Sequence, residues 1–119
     1  MPKVLISDAM DDIAEKILLS NNIEVDVITN FTPDELNQNI NSYDGLIVRS
    51  ATKVNKEVIE NAKNLKVVGR AGAGVDNIDI NAAKEKNIIV MNTPGGNTNA
   101  TAEHTLALLL SLSRKISKA

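Results

Sequence analysis

The chain has 119 residues, a formal net charge of -2 and a pI near 5.3, with one histidine, no cysteine and 2% aromatic residues. This length suits one compact domain with a single hydrophobic core. The composition argues against a nucleic-acid or anionic-membrane partner, which needs clustered positive charge, and against disulfides and metal sites built from histidine or cysteine.

Short apolar runs alternate with helical patterns along the whole chain. The runs that predict strands are 3–7, 23–28, 44–50, 66–71 and 88–92. The stretches whose apolar spacing predicts helices are 8–19, 32–40, 55–63, 79–87 and about 99–118. Thr32, followed by Pro33 and two acidic residues, is typical of a helix N-terminus. Five strand–helix repeats predict a parallel sheet covered on both faces.

The second predicted strand indicates the strand order. It alternates Ile23, Val25 and Val27 with Glu24 and Asp26, so one of its faces meets solvent and the strand belongs at an edge. The first, third and fourth strands are continuously apolar, as strands buried on both faces are. Both observations favour the order 2-1-3-4-5, so the predicted fold is α/β, a flavodoxin-like three-layer sandwich with a five-stranded parallel sheet.

The chain is expected to be cytoplasmic. Its N-terminus enters a strand-like run without a secretory signal, and the longest apolar stretch, 106–112, is far shorter than the ~20 residues that span a bilayer. Leucines at 106, 108, 109, 110 and 112 surround the axis of the last helix, which predicts burial on every side. Either this helix folds onto the sheet beside the first helix, or two chains bury the leucines mutually as a homodimer.

Polar residues and glycines follow the carboxyl ends of the central strands. Arg49 and Ser50 end the third strand, and Arg70 closes the fourth, just before the glycine-rich loop 72–74. Ligands of open α/β sheets bind beyond these ends. Glycines let successive main-chain N–H groups point into one concavity, and arginine presents a planar fork to carboxylate or phosphate. The sequence therefore predicts a site for a small anion at this edge.

Other sites fit these residues less well. A dinucleotide fingerprint needs a third glycine where Asn77 stands, and the acidic residue ~20 positions further on is missing. A phosphate-accepting receiver domain needs an aspartate at the end of the third strand, where Arg49 and Ser50 stand. His104 is expected to be a packed or hydrogen-bonded histidine of the last helix, and Glu103 an acid favoured by the dipole of its first turn; no Ser-His-Asp spacing accompanies them. No catalytic residue and no metal ligand is predicted in this chain.

Three stretches in order, GLIVRSATKV (45–54), LKVVGRAGAGVDNIDI (65–80) and IIVMNTPGGNTNATAEHTLALLLSLSRKI (88–116), resemble the N-terminal part of the NAD-dependent D-2-hydroxyacid dehydrogenases, in the branch that oxidises 3-phosphoglycerate. The resemblance covers essentially the whole chain. It implies an oxidoreductase of serine biosynthesis that converts 3-phosphoglycerate and NAD into 3-phosphohydroxypyruvate and NADH. Residues 1–96 would form its flavodoxin-like substrate-binding domain, and 97–119 the long helix between domains and subunits.

The resemblance also implies roles for single residues. Arg49 and Ser50 match the family's contacts to the anionic groups of the substrate, and Arg70 matches the arginine of the R-A-G-x-G-x-D loop. The main-chain N–H groups of Ala73 and Gly74 match the carboxylate cradle, and Ala73 also matches a position near the nicotinamide of NAD. Relatives often carry a hydroxyl where Ala73 stands, so its side chain is expected to make no bond to the cofactor.

In such an enzyme the cofactor domain, with a complete G-x-G-x-x-G and the catalytic Arg, Glu and His, follows the long helix. This chain alone is therefore expected to bind no NAD and to lack dehydrogenase activity. Two other interpretations stay open: a stand-alone flavodoxin-like anion-binding or scaffold module, and a fragment of a D-2-hydroxyacid dehydrogenase acting on lactate, glycerate or formate.

Overall fold

The computed structural model describes residues 2–72, 74–93 and 97–118, with side chains up to residue 112. The strands are β1 Lys3–Ile6, β2 Glu24–Val27, β3 Gly45–Val48, β4 Val67–Ala71 and β5 Ile89–Thr93. The helices are α1 Ile13–Ser20, α2 Pro33–Asn39, α3 Lys56–Asn61, α4 Ile80–Glu85 and α5 Thr98–Lys118, with a short 3-10 helix at Ile40–Ser42. A helix follows every strand.

The five strands form one parallel sheet in the order β2-β1-β3-β4-β5, which confirms the predicted fold class. β2 lies at an edge with all four residues partly or fully exposed, whereas β3 is buried along its whole length. The register places Val48 of β3 beside Arg70 of β4, and Arg70 beside Asn92 of β5. The end of β4 and the residues after β3 therefore meet at the same edge of the sheet.

Each face of the sheet has its own aliphatic core. On one face α1 and α5 pack together over the sheet, and the buried residues there are Val4, Ile6, Ala14, Leu18, Ile23, Ile47, Val67, Ala102 and Leu109. On the other face α2, α3 and α4 cover a larger cluster that includes Leu5, Leu46 and Val68. Alternate residues of each central strand therefore enter opposite cores, which is why these strands read as continuously apolar.

Three of the helices begin where the sequence places a capping residue. Thr32 caps α2: its Oγ1 accepts from the Glu35 N–H at 3.2 Å, and Glu35 Oε1 accepts from the Thr32 N–H at 2.9 Å. Asn55 and Asp79 cap α3 and α4 through their side-chain oxygens. These side chains satisfy amides that the first turn of a helix leaves free.

α1 begins five residues later than the predicted start at residue 8, because the side chain of Asp8 bonds to another loop. The Asp8 carboxylate is buried and accepts hydrogen bonds from the loop after β3. Asp11 Oδ1 then accepts from the Ile13 N–H at 3.0 Å, where the helix starts. Tertiary hydrogen bonds thus hold the segment from Asp8 to Asp12 in a loop despite its helical apolar spacing.

α5 lies on the sheet beside α1, so the first of the two expected arrangements is the one observed. Its buried side carries Thr101, Ala102, Thr105 and Leu109. In the single chain α5 is not buried on every side, since Leu110 is 40% exposed and residues 103, 104 and 107 are exposed as well. In the part of the chain that the structure describes, no helix is long and apolar enough to cross a membrane.

Candidate functional site

Arg49 lies immediately beyond β3, and its main chain is fixed from two sides. Its N–H donates to Asp8 Oδ2 at 2.7 Å, and its carbonyl accepts from Asn77 Nδ2 at 2.7 Å. The residue is exposed, as is Ser50, and no hydrogen bond or ion pair from any described residue engages its guanidinium. Arg49 thus combines a rigid backbone with a side chain available to a ligand.

Arg70 has a different environment, because its side chain is only 11% exposed. Its Nη1 donates to Asp76 Oδ1 and, at 2.6 Å, to Asn77 Oδ1. Its Nε is buried and has no partner among the residues that the structure describes. The hydrogen bond from Arg70 lowers the pKa of the Asp76 carboxyl below its usual value.

The glycine loop connects β4 to the segment before α4. Gly74 has a φ of +79°, a conformation that L-residues with side chains rarely adopt, and it is exposed. Gly72 donates its N–H to the Arg70 carbonyl at 3.1 Å. Ala73, predicted as a cradle and cofactor-side residue, lies outside the described residues. The predicted main-chain cradle is therefore represented here by Gly74 alone.

The loop does not fit a dinucleotide. Asn77 stands where the fingerprint has its third glycine, and it is buried, with its amide bonded to protein groups. The helix that follows begins only at Ile80, and its first turn is capped by Asp79 Oδ1, which accepts from the Ala82 N–H at 3.0 Å. We assign no NAD site to the described residues.

Asp8 and Asn77 hold the loop after β3 in place through buried side chains. The sequence did not reveal this structural role. Asp8 is 6% exposed and accepts from the Arg49 N–H, the Thr52 N–H at 3.1 Å and Thr52 Oγ1 at 2.6 Å. Asn77 is 7% exposed and bonds to the loop after β3 as well. The available signals were the position of Asp8 directly after a buried strand and the break that Asn77 makes in the glycine pattern.

A cavity of about 340 Å³ lies beyond the carboxyl ends of β1 and β3, on the side of α2 and α3. Its walls include Ser7, Asp8 and Lys53, whereas Arg49 and Arg70 do not line it. The cavity thus lies beyond β1 and β3, whereas Arg49, which follows β3, and Arg70, at the end of β4, lie outside its lining. In the described part of the chain no group of three or more histidine, aspartate or glutamate side chains is arranged to hold a metal ion.

Comparison with known proteins assigns a family to this arrangement. The family model described as "D-isomer specific 2-hydroxyacid dehydrogenase, catalytic domain" matches residues 4–116. The chain is 50% identical over 117 residues to a D-3-phosphoglycerate dehydrogenase of Archaeoglobus fulgidus, and 49% identical over 117 residues to that of Homo sapiens. Each alignment covers 98% of this chain and 22% of the relative, so the chain spans about a fifth of the length of the curated relatives it matches.

Solved structures agree with the sequence relatives. The PH0520 protein from Pyrococcus horikoshii superposes with a TM-score of 0.74 at 37% identity, over 99% of this chain and 35% of that chain. An NAD+-bound 3-phosphoglycerate dehydrogenase of Entamoeba histolytica superposes with a TM-score of 0.72 at 36% identity, over 91% of this chain and 38% of that chain. The chain therefore belongs to the D-isomer specific 2-hydroxyacid dehydrogenase family.

Proposed function

We propose that the 119 residues form the substrate-binding part of an NAD-dependent dehydrogenase. This enzyme oxidises 3-phosphoglycerate to 3-phosphohydroxypyruvate in serine biosynthesis. One observation carries the proposal: Arg49 and Arg70 stand at neighbouring strand ends and are joined through one amide side chain. The identity of 46–50% to proteins named D-3-phosphoglycerate dehydrogenase selects 3-phosphoglycerate among small anions that two arginines would accept.

The proposed roles follow from what each residue has available. Arg49 offers an exposed guanidinium without a protein partner among the described residues, and Ser50 beside it offers a hydroxyl. Arg70 offers a buried Nε that has no acceptor among the residues that the structure describes. We assign phosphate and carboxylate oxygens of the substrate to these donors, together with the main-chain N–H groups of Ala73 and Gly74. Each charge-assisted bond contributes about 1.5–3 kcal/mol.

In the proposed enzyme, successive parts of the sequence have different roles. Residues 1–96 serve as the flavodoxin-like substrate-binding domain and 97–119 as the helix that leads to the rest of the enzyme. Groups beyond these residues hold NAD, which supplies the hydride acceptor, with its nicotinamide placed near Ala73. A cytoplasmic location belongs to the same proposal, since the reaction draws on a dissolved metabolite and a dissolved cofactor.

Pairing of two chains through residues 97–119 is also part of the proposal. Leu110 is 40% exposed on α5, and Leu106, Leu108 and Leu112 beside it are only half-buried. A second copy would cover this apolar surface. Light scattering of the 119-residue polypeptide is expected to give the mass of a dimer, which Leu110→Glu lowers to that of a monomer. A wild-type monomer at high concentration would remove this part of the proposal.

Isothermal calorimetry tests the substrate site directly. The polypeptide is expected to bind 3-phosphoglycerate weakly and without NADH formation when NAD is added, because it carries no complete dinucleotide fingerprint. Arg49→Ala is expected to weaken binding by about tenfold, which corresponds to the loss of roughly one charge-assisted hydrogen bond.

Lys84→Ala is the matched control for Arg49→Ala. It removes a positive charge from the last turn of α4, away from the carboxyl ends of β3 and β4, and should leave the affinity unchanged. Titration with D-lactate, which has a carboxylate but no phosphate, should give weaker binding than 3-phosphoglycerate. If 3-phosphoglycerate fails to bind, or binds equally to Arg49→Ala, the proposed substrate site is wrong.

A further inference from the structure

Arg49 follows β3 and Arg70 lies in the neighbouring strand β4, and the side chain of Asn77 bonds to the Arg49 carbonyl and to the Arg70 guanidinium. We propose that Asn77 is a positioning residue for the anion site: it holds the main chain of Arg49 and the guanidinium of Arg70 in one fixed relation. The inference rests on the proposed function, because it concerns the same site. Asn77 itself does not need to touch the ligand.

The side-chain contacts of Asn77 are short and join three residues in two segments, the loop after β3 and the strand β4. Nδ2 donates to the Arg49 carbonyl at 2.7 Å and to the Thr52 carbonyl at 2.7 Å. Oδ1 accepts from Arg70 Nη1 at 2.6 Å. The side chain is thus bonded at both ends, and the residue is 7% exposed. Movement of the Arg49 main chain relative to the Arg70 guanidinium would break at least one of these bonds.

Only a primary amide satisfies this set of partners. Two carbonyl oxygens require two donors, and the guanidinium requires an acceptor, so one small planar group must present both. The same requirement fixes the orientation of the amide. If it were turned over, its oxygen would face two carbonyls and its NH2 group would face Arg70 Nη1, which leaves every partner unsatisfied.

Asn77 is itself held in place, which a positioning residue requires. Its carbonyl accepts from the Val54 N–H at 2.8 Å, and the Val54 carbonyl accepts from the Asp79 N–H at 2.8 Å. These bonds join the loop after β3 to the segment before α4. The amide of Asn77 therefore extends from a fixed main chain and does not depend on the arginines for its position.

Asp76, the other residue that accepts a hydrogen bond from Arg70, does not position the arginine as Asn77 does. Its side chain is 89% exposed, so it follows the arginine and cannot fix it. As a carboxylate on the same Nη1 it competes with any anionic ligand for Arg70. Replacing Asp76 and replacing Asn77 should therefore have opposite effects on anion binding, although each residue accepts one hydrogen bond from Arg70.

The test compares Asn77→Ala, Asn77→Asp and Asp76→Asn in the 119-residue polypeptide. Calorimetry with 3-phosphoglycerate measures affinity, and the Nε–Hε NMR signals of Arg49 and Arg70 report side-chain position independently of binding. Both Asn77 variants are expected to weaken binding roughly tenfold or more, and Asn77→Ala is expected to move the Arg70 signal towards that of a solvent-exposed arginine. Asn77→Asp keeps an acceptor for Arg70 but loses both donors. Asp76→Asn is expected to bind as well as the wild type or more tightly.

Ile88→Val, a small deletion in the core at the opposite end of β5, controls for general loss of stability and should change neither readout. If Asn77→Ala does not fold, Asn77→Ser takes its place. Unchanged affinity in the Asn77 variants and an unchanged Arg70 signal in Asn77→Ala overturn the positioning role. If the wild type binds no 3-phosphoglycerate, the proposed function fails separately, and the Arg70 signal alone then decides whether Asn77 fixes the guanidinium.

Discussion

Replacing Gly69 by alanine is expected to lower the free energy of unfolding by about 1–3 kcal/mol. A β-carbon on Gly69 would lie 3.0 Å from Thr105 Oγ1 and 3.1 Å from both Thr101 Cγ2 and Met91 Cε. The methionine can turn away. The threonines cannot, because Thr105 Oγ1 donates to the Thr101 carbonyl at 2.8 Å and Thr101 Oγ1 donates to the Asn97 carbonyl at 3.0 Å. α5 must therefore move off β4 to admit one methyl group.

Urea denaturation of matched variants measures this effect. Gly45→Ala is the control, since its β-carbon would have one tight neighbour, Val4 Cγ2 at 3.1 Å, and otherwise ordinary contacts at 3.5 Å. A smaller loss is expected there. Thr101→Ser removes the Cγ2 methyl group, so Gly69→Ala should be less destabilising in that background than in the wild type. A Gly69→Ala protein as stable as the wild type would show that α5 does not rest on β4 at this glycine.

Most of the fold was predictable because its signals are local. The alternation of Ile23, Glu24, Val25 and Asp26 identifies an edge strand without knowledge of its neighbours, and the position of β2 confirms it. Capping by Thr32 is equally local, since donor and acceptor are three residues apart. The start of α1 was predicted too early because the apolar spacing there is helical, while the bonds that prevent a helix reach residues more than forty positions away.

The candidate site was likewise predictable in part: the positions of the two arginines could be predicted, but the residues that contact them could not. Sequence reasoning brought Arg49 and Arg70 to one edge because parallel strands have their carboxyl ends together, and the register agrees. It could not find the groups that orient them. The side chain of Asn77 bonds to Arg49 and Thr52, 28 and 25 residues away, and such bonds leave no periodic trace in a sequence. A buried polar residue is recognisable only once its burial is known.

Asp8→Asn is expected to lower the free energy of unfolding by about 2–4 kcal/mol, because the carboxylate accepts three hydrogen bonds and hydrogen bonds to a charged group are among the stronger ones. Its oxygens receive the Arg49 N–H at 2.7 Å, the Thr52 N–H at 3.1 Å and Thr52 Oγ1 at 2.6 Å. In asparagine the NH2 group can take the Oδ1 position and donate to Thr52 Oγ1, so the Arg49 and Thr52 N–H groups keep an acceptor that no longer carries a charge. The attachment of the loop after β3 to Asp8 would then weaken.

Asp12→Asn makes the same change of charge at an exposed position, where Asp12 faces Lys16 at 3.3 Å, and should alter stability by less than about 1 kcal/mol. Amide hydrogen exchange separates the contribution of Asp8 to global stability from its local effect on the loop after β3. The Arg49 and Thr52 amides should be protected in the wild type and in Asp12→Asn, and should exchange faster in Asp8→Asn than its global stability alone requires. Because Arg49 lies in that loop, binding of 3-phosphoglycerate should weaken in the same variant. Full protection of the two amides in Asp8→Asn would show that the sheet and Asn77 suffice to hold Arg49 in place.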